Sequence, residues 1–177
     1  PGSRPDSEVP AAPQAPRLRA YPGVTPLSEV EQRDIAEQVM AATRSQWFEE
    51  DMSSEPEAEA FALNDREALV IIRTWCAAYN CDFAVYRVGR QAPYAERDLQ
   101  LEPPPLDLGA LSGWVSYNPD TGELGYLYKG RGIADCGESG SWRFDGERFQ
   151  LASLNFLGRC AARNPGEWPE LWRVAEP

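Results

Sequence analysis

The sequence predicts an α+β domain: an antiparallel β-meander with one long N-terminal helix packed on it, behind a proline-rich strap. Three observations carry this. Apolar residues recur at helical spacing in one long segment only, between Ser28 and Phe48. From Ala68 onward the pattern changes to short β-rich runs separated by turn residues. No helix alternates with those runs, so parallel βαβ units are not expected.

The elements follow in order. Residues 1–26 carry Pro5, Pro10, Pro13, Pro16, Pro22 and Pro26 among small and charged residues. Each proline removes a backbone donor and pushes its predecessor toward extended geometry, so this stretch reads as a linker or surface strap. Pro1-Gly2-Ser3 looks like the remnant of a cloning or protease site, and the expectation is of a trimmed chain. Ser28 and Glu31 have the spacing of a capping box, in which each side chain satisfies the other's free backbone N–H. Ile35, Ala36, Val39 and Met40 form the apolar stripe of a helix over about 29–48. The acidic stretch 51–59 reads as a solvated connection, with a short helical turn over 58–63.

Residues 68–76 and 82–88 then predict a hairpin with Cys76 and Cys81 flanking its turn. Pro93, Pro103, Pro104 and Pro105 mark 91–109 as an irregular crossover. Strands over 114–117 and 123–129 enclose the turn Asn118-Pro-Asp-Thr-Gly. Asn118, Asp120 and Glu123 lack the full spacing of a calcium loop, so the hairpin turn is the better reading. A glycine-rich loop over 130–140 leads to strands over 141–145 and 148–155, which turn at Asp145-Gly146. Phe144 and Phe149 are placed to pair across that turn. Trp168 and Trp172 close the chain by packing a last strand or turn against the sheet.

The 177 residues include 16 Pro and 6 Trp and are 42% hydrophobic, which suits one domain of 27–177 behind the strap. The net charge of −11 disfavours nucleic acid and anionic membranes, and would steer in a cationic protein. No run approaches the ~18 apolar residues of a spanning helix. There is no histidine, which excludes the Ser-His-Asp triad and a His-paired cysteine nucleophile, and removes the commonest transition-metal ligand. Cys76, Cys81, Cys136 and Cys160 contain no C-x-x-C pair, so neither a metal site nor another cofactor is expected. An even count suits disulfides in an oxidising compartment, against the alternative of buried free thiols. Cys136–Cys160 is the first pairing expected, if the chain runs on as a meander. Cys76–Cys81 is sterically allowed.

The stretch KGRGIADCGESGSWRFDGERFQL, with Cys160 and the closing Trp-Arg, resembles the domain-of-unknown-function 1176 family of exported proteobacterial proteins. Lys129, Gly130, Arg131, Gly132, Asp135, Cys136, Gly137, Trp142, Asp145, Gly146, Phe149 and Leu151 match its pattern. Cys76-Ala-Ala-Tyr-Asn80 resembles an upstream segment one residue longer, whereas Cys81 lies outside the pattern. The likeness runs from about residue 65 to the C-terminus, and more loosely over the helix. It implies export to the periplasm and a preceding half not included here. It supplies no catalytic residues.

Together these readings lead to an expected function: a periplasmic, non-catalytic binding protein, an inhibitor or immunity protein against a basic cell-wall hydrolase or toxin. Its loop would offer donors from Lys129 and Arg131 and oppose a basic wall with Asp135 and Glu138. Alternatively, Arg131 and Asp135 pair with each other. An envelope-assembly module within a longer protein is the second reading. A carboxylate-dependent glycan hydrolase is the third, with candidates such as Asp120, Asp135 and Asp145 confined to turns.

Overall fold

The computed structural model describes residues 16–48, 55–103 and 111–175. Within them lie helix α1 (Glu29–Trp47) and nine strands: β1 (Glu57–Ala62), β2 (Glu67–Cys76), β3 (Cys81–Gly89), β4 (Glu96–Arg97), β5 (Ser112–Asn118), β6 (Glu123–Lys129), β7 (Gly137–Phe144), β8 (Phe149–Leu157) and β9 (Glu170–Arg173). Every strand pairing is antiparallel, in the order β1-β2-β3-β5-β6-β7-β8-β9, with β4 on the side of β3. The predicted α+β architecture, one helix on an antiparallel meander, is the observed one. No helix of the described residues is long and apolar enough to cross a membrane.

The helix begins where its capping box lies. The Glu31 N–H reaches Ser28 Oγ at 3.3 Å, and the Ser28 N–H donates to Glu31 Oε2 at 2.8 Å. Ile35, Ala36 and Val39 then bury against one face of β1–β3, made by Ala60, Ala62, Ala68, Val70, Ile72, Tyr86 and Val88. Alternation along the strands sends the other set, Phe61, Leu69, Ile71, Phe83 and Val85, to the opposite face. There they meet Tyr117, Leu124, Tyr126, Trp142, Phe144, Phe149 and Leu151 from β5–β8.

The continuous sheet therefore folds back on itself, giving three layers: helix, first sheet, second sheet. The fold-back is a narrow joint, since β3 and β5 share only the pairs Cys81↔Gly113 and Asp82↔Ser112. Gly113 sits there with φ +97, and a Cβ on it would lie 2.2 Å from the Leu127 carbonyl oxygen, so a side chain has no room.

Two expectations change. Residues 58–63 were expected to turn helically, because Ala and Glu favour helix. They are strand: β1 pairs with β2 along its whole length, and Ala58, Ala60 and Ala62 let the helix approach closely. The glycine-rich loop is also shorter than expected. It ends at 136, and Gly137, Ser139 and Gly140 are already in β7, where small residues pass under neighbours such as the Tyr126 ring.

The strap splits. Residues 1–15 lie outside the described residues, as do 49–54, 104–110 and 176–177. From Pro16 the chain crosses the second sheet with apolar anchors. Arg17 bridges Ala175, Leu18 buries with Ala152 and Val174, and the Tyr21 ring lies over Gly122. Val24 and Leu27 then join the core beneath the helix.

Candidate functional site

The loop over 130–136 is built by its own residues. The Gly130 N–H donates to the Cys136 carbonyl at 2.8 Å, closing the base. Gly137, at φ +143, is where β7 starts, and a Cβ there would lie 2.0 Å from the Tyr128 carbonyl oxygen. Inside the loop, Arg131 Nε donates to Asp135 Oδ1 at 2.6 Å and its Nη2 to Oδ2, a two-pronged ion pair. Asp135 is 4% exposed and also accepts from the Ala162 N–H at 3.0 Å. Cys136 is bonded to Cys160, and Cys76 to Cys81. The pairing expected first, Cys136–Cys160, is present, as is the sterically allowed Cys76–Cys81, and no cysteine is free. The Asp135 carboxylate and the Cys136 and Cys160 sulfurs lie within 4.8 Å of one another. The sulfurs bond each other, so they offer no thiolate to a metal.

The β2–β3 turn braces the same end of the molecule. The Asn80 amide donates to the Lys129 carbonyl at 2.8 Å and accepts from the Lys129 N–H at 3.0 Å. Trp114 Nε1 donates to the Tyr79 carbonyl at 3.0 Å. Lys129 Nζ lies 4.8 Å from the centre of the Trp114 ring, a cation–π contact. The Tyr79 ring faces Gly132. At the loop tip Ile133 is 74% exposed, and the rings of Tyr79, Trp114 (53%) and Tyr128 are exposed on flanking elements.

The four residues expected to touch a partner therefore divide. Arg131 is exposed but committed to Asp135. Lys129 is half-buried over Trp114. Asp135 and Glu138 are buried, so neither presents a carboxylate to a basic wall. Glu138 lies on the inner face of β7, aligned with Tyr128 on β6 and Phe156 on β8. The residues that do form the exposed surface, Ile133, Tyr79 and Trp114, were not singled out from the sequence. A lone isoleucine between glycines and charges was the available signal. The turn carboxylates are tied locally: Asp145 Oδ1 accepts from the N–H groups of Glu147 and Arg148, at 2.9 Å each.

The two buried carboxylates titrate in opposite directions. The Arg131 guanidinium holds Asp135 down to about 2, against burial and with help from the Ala162 N–H. Burial raises Glu138, partly offset by the Tyr126 hydroxyl. The contribution of Asp135 to stability is thus complete above its ordinary value of 3.8 and is lost as pH falls toward 2. Glu138 instead costs stability as pH rises above its ordinary 4.5. Urea midpoints across pH 2–7 are expected to lose the acid limb in Asp135→Asn and to gain at neutral pH in Glu138→Gln. An unchanged acid limb in Asp135→Asn would contradict the ion pair.

These features define a class: a disulfide-braced α+β domain presenting a stiff loop with an apolar tip. The chain belongs to a family that carries the description "Protein of unknown function (DUF1176)", which matches residues 1–175. The match thus extends through the helix and strap, beyond the stretch whose motifs first suggested it. The chain is 32% identical over 183 residues to "Uncharacterized protein YpfG" of Escherichia coli (strain K12), covering 97% of this chain and 51% of that protein. It thus spans about half the length of that curated relative. No solved structure matches.

Proposed function

We propose that this domain is a non-catalytic binding module of the periplasm, which blocks a basic partner by inserting the Ile133 tip into a cleft. The partner class is a secreted hydrolase or toxin. The observation behind the proposal is an exposed isoleucine on a loop fixed by an ion pair, a disulfide and a packed tyrosine ring. A loop already held in one shape loses little entropy on docking. The flanking aromatic rings supply the kind of side chain that dominates binding energy. The charge of −11 favours encounter with a cationic protein. Two disulfides suit an oxidising space. A second reading, an envelope-assembly module, is favoured by the chain's spanning only 51% of its relative.

The test is affinity purification from periplasmic extract, followed by titration of the identified protein against wild type and Ile133→Asp. A hot-spot loss of roughly 2 kcal/mol corresponds to about 30-fold weaker binding. That loss, with an unchanged thermal midpoint, is the expected result. Equal affinity of the variant would remove the loop from the interface, and recovery of a scaffold component would favour assembly.

A further inference from the structure

Strand β1 is the outermost strand of the first sheet. Among the described residues β2 is its one neighbour, so alternate backbone N–H and C=O groups on its far side stand outside the ladder. Helix α1 runs beside this edge. Between them lies a groove of about 350 Å³, with Glu29, Arg33, Ala36 and Glu37 on the helix side and Ala58 and Glu59 on the strand side. A strand edge beside a helix is a shape into which an extended peptide can be laid as an added strand.

The charges say what kind of peptide. Among the described residues, the one cation lining the groove, Arg33, is already paired with Asp34 at 3.7 Å, and Arg73 on the neighbouring strand is paired with Glu57 at 2.6 Å. Glu29, Glu37 and Glu59 are exposed and have no ion pair among the described residues. An added strand would turn one row of side chains toward Glu57 and Glu59 and the other toward the helix, with Glu29 and Glu37. Both rows meet surplus carboxylate. A second copy is disfavoured, because pairing β1 with itself brings the Glu57/Glu59 face of each strand beside the other.

We propose that β1 and α1 form a peptide groove that takes an extended, basic segment of a partner protein by strand addition. Main-chain hydrogen bonds to the β1 edge hold the segment, and lysine or arginine side chains pair with Glu29, Glu37 and Glu59. The groove uses none of the residues of the Ile133 loop, so the two surfaces succeed or fail independently.

The experiment is an NMR titration of the isotope-labelled full chain with two peptides. One is an eight-residue peptide alternating lysine and valine. The other is the same peptide with proline at each valine, which keeps the charge but removes alternate backbone donors. The first is expected to shift the amides of β1 and to slow their exchange with solvent. The proline peptide, and the first peptide on Glu37→Lys/Glu59→Lys, are each expected to bind at least about tenfold more weakly. Glu59→Gln provides a milder variant should the double one unfold, and Ile133→Asp is expected to bind the peptide as wild type does. Absence of binding, equal binding of the two peptides, or amide shifts confined to residues outside β1 and α1 would overturn the proposal.

Discussion

Replacing Cys136 and Cys160 together by serine is expected to lower the stability of the domain by about 3 kcal/mol. The bond closes a segment with a sequence separation of 24. Removing such a cross-link returns loop entropy to the unfolded chain, and a closed loop of this length corresponds to roughly 3 kcal/mol. In the folded state the bond ties the start of β7 to the chain beyond β8. That is also where Asp135 receives the N–H groups of Ala161 and Ala162. The loop over 130–136 should therefore become the first site of proteolytic nicking in the variant. Cys76 and Cys81 are only five residues apart across a turn that β2 and β3 already close. The same entropic account assigns their removal about 2 kcal/mol. Urea unfolding of both double variants and of the wild type, without reductant, checks the ranking. A Cys136/Cys160 variant as stable as wild type would show that the bond does not constrain the native domain.

Phe144→Ala is expected to cost about 3–5 kcal/mol, the range for deleting a large aromatic side chain from a packed core. Phe144 is fully buried where the second sheet faces the first. Its ring centre is 5.1 Å from that of Phe149, its partner across the Asp145-Gly146 turn. The Arg87 guanidinium lies 5.6 Å from the ring centre. That guanidinium donates to Glu67 Oε2 and to the Glu147 carbonyl, both at 2.6 Å. Truncation therefore opens a cavity and also removes the surface on which a half-buried ion pair rests. Phe144→Leu keeps most of the apolar volume and is expected to cost clearly less. A loss below about 1 kcal/mol for Phe144→Ala would mean that the core collapses freely around the gap, contrary to its close packing.

Several local decisions were legible because neighbouring residues make them. Ser28 and Glu31 start the helix by satisfying each other's backbone. Asp145 accepts from the two N–H groups that follow it, and Phe144 and Phe149 pair across the turn. Asn118 holds its own turn in the same way, with Oδ1 accepting from the Asp120 N–H at 2.9 Å. The Arg131–Asp135 pair is legible for the same reason, since its members stand four positions apart. The candidate surface was less legible. Tyr79 and Asn80 reach it from a hairpin about fifty residues upstream of Lys129, and Trp114 from a third element. Their meeting depends on the narrow joint at Gly113.

By itself the sequence determined the helix, the order of the meander strands, the turn at Asp145-Gly146 and the expectation that Cys136 meets Cys160. The first three rest on periodicity or on residues close in the chain, and the last on a meander that brings two cysteines of sequence separation 24 together. Only the tertiary structure decided that 57–62 is a strand, that the sheet folds over to make a second layer, and that Asp135 and Glu138 face inward while Ile133 faces out. The physical reason is burial. Propensity at Ala58 or a charge at Glu138 is a matter of tenths to a few kcal/mol, and it yields to ladder pairing and to the packing of two sheets and a helix, which no local stretch of residues can report.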